Sequence, residues 1–300
     1  MTECERIIEQ GIIPDRFLRK EERCGFLVTE KWKKIWAIEI DLYLEFARVC
    51  KKHGLKFWAD GGTLLGAVRH NGFIPWDDDL DVIMPREDYS KLLKVGQQEF
   101  KSPYFLQTPY TDPGYAFSFI KLRNSNTTCI PKVFEKSGYN HGIHIDIFPL
   151  DFICPDTFEE ERNLIRVHAL RMSSYMKRNS LELLDQRQRE NFEKYQTDDY
   201  LNEFEMIQKI ASNSNYFGSE YVANAVYPVL DADAQRWRAS WYSDALVRDF
   251  EFIQIPIPIG FKMKLTAVYG NYMEFPPVEK RGNWHTDVLW DPDRTYMEYV

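Results

Sequence analysis

The stretch that decides the fold runs from Leu55 to Met84 and has the sequence LKFWADGGTLLGAVRHNGFIPWDDDLDVIM. It opens with an alternating run typical of a short strand, passes through Gly61-Gly62, and continues as a predicted helix over Thr63 to Arg69. Asn71-Gly72 marks a turn. A second strand is predicted from Asp79 to Met84. The stretch therefore predicts one compact strand–glycine turn–helix–strand unit that carries several acids.

Four carboxylates lie within five residues, at Asp77, Asp78, Asp79 and Asp81, with no basic residue between them. Acids rarely lie against apolar strands unless they are paired or bind a metal. Alternate residues of a strand share a face, so Asp79 and Asp81 should point the same way and Asp77 should join them. Asp78 should face the other side as a bystander. We predict a Mg²⁺ or Mn²⁺ site with Asp77, Asp79 and Asp81 as ligands.

Two other features extend this site. Gly61, Gly62 and Thr63 place bare backbone amides at a helix N-terminus, where phosphate oxygens can bind. Asp146 lies in an apolar strand predicted over 142–148 and suits a third carboxylate. Each feature alone also has an ordinary explanation, such as a solvated acidic loop or a simple turn. An EF-hand is excluded because Val82 occupies its obligatory glycine position.

The order Gly-Gly, acid–apolar–acid and later acid matches the nucleotidyltransferase-fold pattern. We therefore expect an α+β fold with a nucleotidyltransferase-like mixed β-sheet, flanking helices and a helical C-terminal half. The expected divisions are an irregular N-terminal arm (1–29), the catalytic core (30–154), a helical region (155–245) and a C-terminal segment that completes the active site (246–300). A strong amphipathic helix is predicted over 30–53, with Thr29 as its N-cap and Gly54 as its end.

Composition limits the possible functions. The 300 residues, 44% of them hydrophobic, can bury a sizeable core, and the net charge of −8 argues against wholesale nucleic-acid binding. Five scattered cysteines suggest neither a disulfide framework nor a cysteine zinc site, and fit a cytoplasmic protein. No apolar run approaches the ~18 residues of a membrane span. Peripheral association with the inner face of a membrane stays open.

The sequence resembles the LicD family, which includes the fukutin and fukutin-related proteins. An almost unbroken family signature runs from Ala59 to Asp81, and the stretches 84–89, 121–123 and 145–151 continue it. The stretch 269–273, Pro276-Pro277, Arg281 and His285 look like the family's C-terminal block. His144 departs from the pattern, because a bulky apolar or aromatic residue is expected at that position.

The resemblance implies transfer of a phosphorylated alcohol from a CDP-activated donor. Bacterial members pass phosphocholine from CDP-choline to a sugar hydroxyl of a surface glycan, and the fukutin branch transfers ribitol phosphate. We expect this chain to transfer phosphocholine to a cell-surface glycan or its precursor, which can be lipid-linked, with release of CMP. Carried onto this sequence, the metal triplet falls on Asp77, Asp79 and Asp81, and the third carboxylate falls on Asp146.

Further site residues are predicted around these acids. Lys121 is expected to stabilise charge on the transferring group together with Arg123, although a solvated edge strand would give the same spacing. Substrate contacts are expected from Arg69, Trp76, Arg281 and His285, with Arg69 also explicable as an ordinary basic helix end. Trp76, Tyr110 and Tyr115 are candidates for an aromatic cage around a choline head group.

Three alternatives stay open at this point. A metal-dependent glycosyltransferase would use the Asp-x-Asp motif on a nucleotide sugar. A nucleotidyltransferase acting on a small molecule would release pyrophosphate from a nucleoside triphosphate. A non-catalytic module would bind metal or nucleotide without forming product.

Overall fold

The computed structural model describes residues 1–132, 135, 137–153, 186, 190, 199–212, 218–224, 236–282 and 287–300. The described helices are α1 Glu3–Glu9, α2 Glu30–His53, α3 Gly61–Arg69, α4 Arg86–Glu99, α5 Tyr200–Ala211 and α6 Phe261–Tyr269. The described strands are β1 Glu21–Arg23, β2 Phe26–Val28, β3 Trp58–Ala59, β4 Asp81–Pro85, β5 Tyr104–Gln107, β6 Ile120–Asn124, β7 Thr128–Pro131, β8 Ile143–Ile153, β9 Tyr221–Ala223, β10 Trp237–Arg238, β11 Ala245–Phe250, β12 Ile253–Pro258 and β13 Val288–Asp291.

The long helix α2 forms as its sequence predicts. The Thr29 hydroxyl accepts a hydrogen bond from the Trp32 backbone N–H at 3.4 Å, which caps the first turn. Gly54 ends the helix in the left-handed conformation, at φ 63° and ψ 33°. The apolar stripe between these ends is buried in the main core, with Trp36 and Phe46 fully buried. The helix thus provides a wall against which the acidic loop can pack.

The largest described sheet has seven strands. Strand β4 lies between β3, to which it runs antiparallel, and β8, to which it runs parallel. Strand β8 is long enough to pair also with β6 and, at its far end, with β9. Because β4 and β8 are parallel neighbours, residues that start β4 lie beside the middle of β8. This adjacency builds the candidate site.

The observed architecture confirms the α+β class, while its nucleotidyltransferase-like detail stays a prediction. Several local expectations differ from the structure. Residues 1–29 are not irregular: they contain α1, whose Thr2 and Glu5 form a reciprocal capping box, and the β1–β2 hairpin. Residues 155–245 include β9 and β10 as well as α5, so the described part is not purely helical. Much of that region lies outside the described residues.

The acidic run also differs from its predicted geometry. Strand β4 begins at Asp81 and not at Asp79, so 77–80 forms an irregular loop leading into the strand. Strand alternation therefore does not set the directions of Asp77, Asp78 and Asp79. Their positions follow from what the loop packs against.

Candidate active site

The register of two parallel strands brings two predicted acids together. Asp81 starts β4 directly beside Asp146 of β8, and the Asp146 backbone N–H donates to the Leu80 carbonyl oxygen at 3.0 Å. On the other side of β8, Lys121 of β6 lies opposite Asp146. Its Nζ donates to Asp146 Oδ1 at 2.5 Å. The sheet therefore holds Asp81, Asp146 and Lys121 in one row across three strands.

The acidic loop forms a second group beside this row. Oxygen atoms of Asp77, Asp78 and Asp79 lie within 4.8 Å of one another. The Trp36 indole N–H of α2 donates to the Asp77 carbonyl oxygen at 3.1 Å and fixes the start of the loop. Asp78, expected to be a bystander, is fully buried and belongs to this group. Three closely spaced carboxylates are a suitable ligand set for a hard divalent cation.

Gly61 and Gly62 allow the carboxylates to approach α3 closely. A Cβ at Gly61 would lie 2.8 Å from Asp81 Oδ2, and a Cβ at Gly62 would overlap Asp77 Oδ2. The Thr63 hydroxyl accepts a hydrogen bond from the Asp81 backbone N–H at 2.8 Å. Thr63 thus anchors the start of β4. The two glycines bring the N-terminus of α3 against the carboxylates that the sequence assigns to a metal.

Burial and mutual repulsion disfavour the charged forms of these acids. Desolvation, then the charge of Asp79, raises the pKa of Asp77 and of Asp81 well above the usual range. Fully buried Glu39 of α2 adds to the charge: burial and the neighbouring Asp79, Asp78, Asp77 and Asp81 raise its pKa as well. A bound divalent cation would offset this repulsion. The residues present therefore fit the Mg²⁺ or Mn²⁺ that the motif predicts.

The surroundings of Asp146 are basic. Lys121 Nζ also lies 2.8 Å from His144 Nε2, and His144 Nδ1 lies 3.1 Å from an Arg123 nitrogen. Burial lowers the pKa of Lys121, and the Asp146 charge opposes that shift. Arg123 is itself buried and donates to the Gly142 carbonyl oxygen at 2.6 Å. Neither cation is on a solvated edge strand, and His144 connects them.

A cleft of about 660 Å³ opens beside the carboxylates. Asp77, Asp79 and Asp81 line it together with Gly61 and Gly62. The cleft is also lined by Asn224, Trp237, Lys264 and residues of the stretch 268–276. Most of 268–276 belongs to the C-terminal block that the sequence marks. No local sequence signal marks Asn224, Trp237 or Lys264, because they reach the site only through the tertiary fold.

Some of the residues predicted to contact substrate line the cleft, and others support the residues that line it. Trp76 and Arg69 line the cleft, but the Arg69 guanidinium donates to the carbonyl oxygens of Tyr272 (2.8 Å) and Glu274 (3.1 Å). Arg281 lies over the Trp76 ring at 5.1 Å and donates to the Pro276 carbonyl oxygen. These arginines thus hold the 272–276 segment in place.

Two of the residues predicted for an aromatic cage around choline lie away from the cleft. Tyr115 is fully buried and donates to the Phe119 carbonyl oxygen, and exposed Tyr110 packs against Phe204. Neither lines the cleft. His285 lies outside the described residues. Aromatic rings that do line the cleft include Trp76, Trp237, Tyr269 and Phe275.

Comparison with known proteins gives a consistent result. Residues 54–169 match the family model described as LicD/FKTN/FKRP, nucleotidyltransferase domain. The chain is 29% identical over 251 residues to lipopolysaccharide cholinephosphotransferase LicD of Haemophilus influenzae, which covers 80% of this chain and 90% of that protein.

Other relatives are similar to this chain over only part of its length. An uncharacterized protein of Rickettsia prowazekii is 47% identical over 101 residues, 33% of this chain and 34% of its own length. Human ribitol 5-phosphate transferase FKRP is 48% identical over 40 residues, 13% of this chain and 8% of its own length. Among the described residues, no helix is long and apolar enough to cross a membrane.

Proposed function

The chain belongs to the LicD family through its domain over residues 54–169, as its motifs predict, and on that premise we propose that it is a metal-dependent phosphoalcohol transferase. The donor is a CDP-alcohol, with CDP-choline as the first choice, and the acceptor is a sugar hydroxyl of a cell-surface glycan or its precursor. The observation that carries this proposal is that Asp77, Asp79 and Asp81 line one cleft, with Asp146 beside Asp81 in the sheet.

The choice of choline rests on the Haemophilus influenzae relative, a lipopolysaccharide cholinephosphotransferase that matches 80% of this chain. Ribitol phosphate, the group named for the relative FKRP, is the second choice. Aromatic rings favour a quaternary ammonium group. The cleft is lined by Trp76, Trp237 and Phe275, which supports a choline-sized cation.

Asp77, Asp79 and Asp81 would hold the metal, and buried Asp78 lies close enough to contribute. When bound, the cation would offset the negative charge of the donor diphosphate and of the departing CMP. Gly61 and Gly62 keep room for these carboxylates at the start of α3. The protein contributes the carboxylates that would hold the metal, the cleft for the substrates and the neighbouring side chains Asp146 and Lys121.

We propose that Asp146 orients the acceptor hydroxyl and takes its proton. The hydroxyl oxygen forms a bond to the phosphorus that carries the alcohol, and the bond from that phosphorus to the oxygen of CMP breaks. The Lys121 ammonium donates to Asp146 Oδ1 at 2.5 Å and holds that carboxylate in position. It also adds positive charge near the phosphoryl group in transfer.

The test is a donor panel. Purified protein is incubated with Mg²⁺, an acceptor glycan extract and CDP-choline, CDP-ribitol, CDP-glycerol or a UDP-sugar, and CMP or UDP release is followed. We expect CMP from a CDP-alcohol and a glycan that gains the phosphoalcohol. Asp81→Asn should reduce turnover by roughly a hundredfold or more without unfolding the protein, whereas the exposed control Asp249→Asn should leave it unchanged.

The alternatives give different products in the same assay. UDP release would identify a nucleotide-sugar glycosyltransferase, and pyrophosphate release from a nucleoside triphosphate would identify a nucleotidyltransferase. Binding of a CDP-alcohol without any product, across several acceptors, would identify a binding module. Any of these results would overturn phosphoalcohol transfer as the function.

A further inference from the structure

One corner of the cleft contains a buried lysine. Lys264 of α6 has only 3% of its surface exposed, yet it lines the cleft. Its Nζ forms an ion pair with Asp60, the residue just before Gly61-Gly62. The Nζ also lies 4.0 Å from the centre of the Trp237 ring and 5.2 Å from that of Tyr242. The ammonium is thus held by one carboxylate and two aromatic faces.

Two neighbouring polar groups at this corner lack partners. In the described part of the chain, Asn224 Oδ1 and Trp237 Nε1 are buried and make no hydrogen bond. Both residues line the cleft beside Lys264. A buried donor or acceptor without a partner costs free energy, so such groups indicate a missing ligand. An indole N–H can only donate and an ammonium carries three donors, so Trp237 and Lys264 suit an anion, whereas the Asn224 oxygen can only accept.

We infer that Lys264 and Trp237 form an anion-binding corner that takes phosphate oxygens of a diphosphate-containing ligand. The Lys264 ammonium and the Trp237 indole N–H line the same cleft as the acids that can hold a metal. A diphosphate in this cleft would be bound both by a cation on the acids and by the ammonium. Asp60 holds the ammonium in place until the phosphate arrives.

The charges of the cleft support this assignment. Among the described lining residues, the cationic side chains are Arg69 and Lys264, and Arg69 donates to two backbone carbonyl oxygens. Lys264 is therefore the better candidate of the two to bind an anion in the cleft. Burial lowers the pKa of its amine, so the neighbouring carboxylate matters for keeping it charged. Lys264 and Trp237 both lie outside the family domain over 54–169.

The experiment uses inorganic pyrophosphate with Mg²⁺ as the probe and isothermal titration as the readout. Lys264→Met should weaken pyrophosphate binding by at least about tenfold, the loss expected for a hydrogen bond between charged groups. Trp237→Phe keeps the aromatic face but removes the N–H, and should weaken binding several-fold. Lys262→Met, on an exposed position of the same helix, is the matched control and should bind as the wild type does.

Lys264→Met leaves Asp60 buried without its partner and can disturb folding, so a second pair of variants is needed. Asp60→Asn keeps Lys264 but removes the carboxylate that favours its charged form, and should weaken pyrophosphate binding. The double variant Asp60→Asn/Lys264→Met removes both charges together. If Asp60→Asn acts through the charge of Lys264, its effect should be smaller when Lys264 is already methionine.

Because the diphosphate is that of the proposed donor, the inference rests on the proposed function. Different results would overturn the anion-binding corner and the transferase activity. Wild-type protein that does not bind pyrophosphate, or Lys264→Met protein that binds it unchanged, overturns the anion-binding corner even if a CDP-alcohol yields CMP. Lysine-dependent pyrophosphate binding without CMP from any donor leaves the corner intact and overturns the transferase.

Discussion

At the residue scale, the sequence marks Asp81 and Asp146, each in an apolar strand, but does not mark the residues that surround them. The two acids are neighbours because β4 and β8 pair in parallel, and their roles stay predictions. The inward position of Asp78 was not predictable, because strand alternation does not apply to a loop that ends at Leu80. Lys264 lies 204 residues from its partner Asp60, and no local pattern connects them.

Any side chain at Gly62 should disturb the site, although the backbone conformation of Gly62 is one that other residues adopt. Its φ is outside the left-handed region, so Gly62→Ala adds no backbone strain, but the new Cβ would displace the Asp77 carboxylate. We expect the variant to remain folded and to lose most of the stabilisation that Mg²⁺ or Mn²⁺ gives the wild type. Melting curves with and without metal measure this.

The matched control for that variant is Gly282→Ala, where an added Cβ meets nothing within 4 Å. It should keep the full metal response. A Gly62→Ala protein with the same metal response as the wild type would mean that Asp77 does not contribute to the metal site.

Glu39 should make stability depend on pH in an unusual direction. Neither of its oxygens has a hydrogen-bond partner among the described residues, and burial and the nearby aspartates raise its folded-state pKa well above 4.5. Below the unfolded-state pKa, Glu39 is protonated in both states. As the pH rises above it, the unfolded state releases this proton first, so the wild type loses stability.

Glu39→Gln removes that loss. We therefore expect the variant to match the wild type near pH 4 and to exceed its free energy of unfolding at pH 7.5, with EDTA present to remove metal. Urea denaturation at both pH values measures the difference. A variant that is less stable than the wild type at pH 7.5 would show that the Glu39 carboxylate makes a favourable interaction when charged.

At the element scale, the sequence predicted helices better than strands. Helix α2 has a cap, a long apolar stripe and a glycine stop, and all three signals are local. Strand β3 is only two residues long, shorter than the alternating run 55–59 suggested, because its length depends on pairing with β4. Helix α1 also had a local signal, the Thr2 and Glu5 capping box, within a segment expected to be irregular.

Gly54 tests the end of α2. Its left-handed conformation costs a residue with a Cβ about 1 kcal/mol, and nothing within 4 Å would clash with the added atom. Gly54→Ala should therefore lower the free energy of unfolding by about 1 kcal/mol, as measured by guanidinium denaturation. Gly54→Asn should lower it less, because asparagine tolerates this conformation better. If both variants lost the same free energy of unfolding, the left-handed backbone conformation would not explain the need for glycine at position 54.

At the scale of the whole molecule, the C-terminal segment belongs to the same core as the acidic motif. Phe250, Ile257 and Trp290 are buried with residues of α2 and β4. The Glu251 carboxylate accepts hydrogen bonds from Arg23 and from the Phe73 backbone N–H. These contacts join segments far apart in sequence. The sequence predicted that 246–300 completes the site, but no local pattern indicates which residues of α6 line the cleft.

A metal ion should therefore stabilise the molecule as a unit. Ligand that binds only the folded state adds about 2.7 kcal/mol at a hundredfold excess over its dissociation constant. For a chain of this size, we expect Mg²⁺ or Mn²⁺ to raise the melting temperature by several degrees. Asp81→Asn should show a much smaller rise, and Asp249→Asn the full one. Melting temperatures that stay constant across millimolar metal would contradict the assignment of Asp77, Asp79 and Asp81 as ligands.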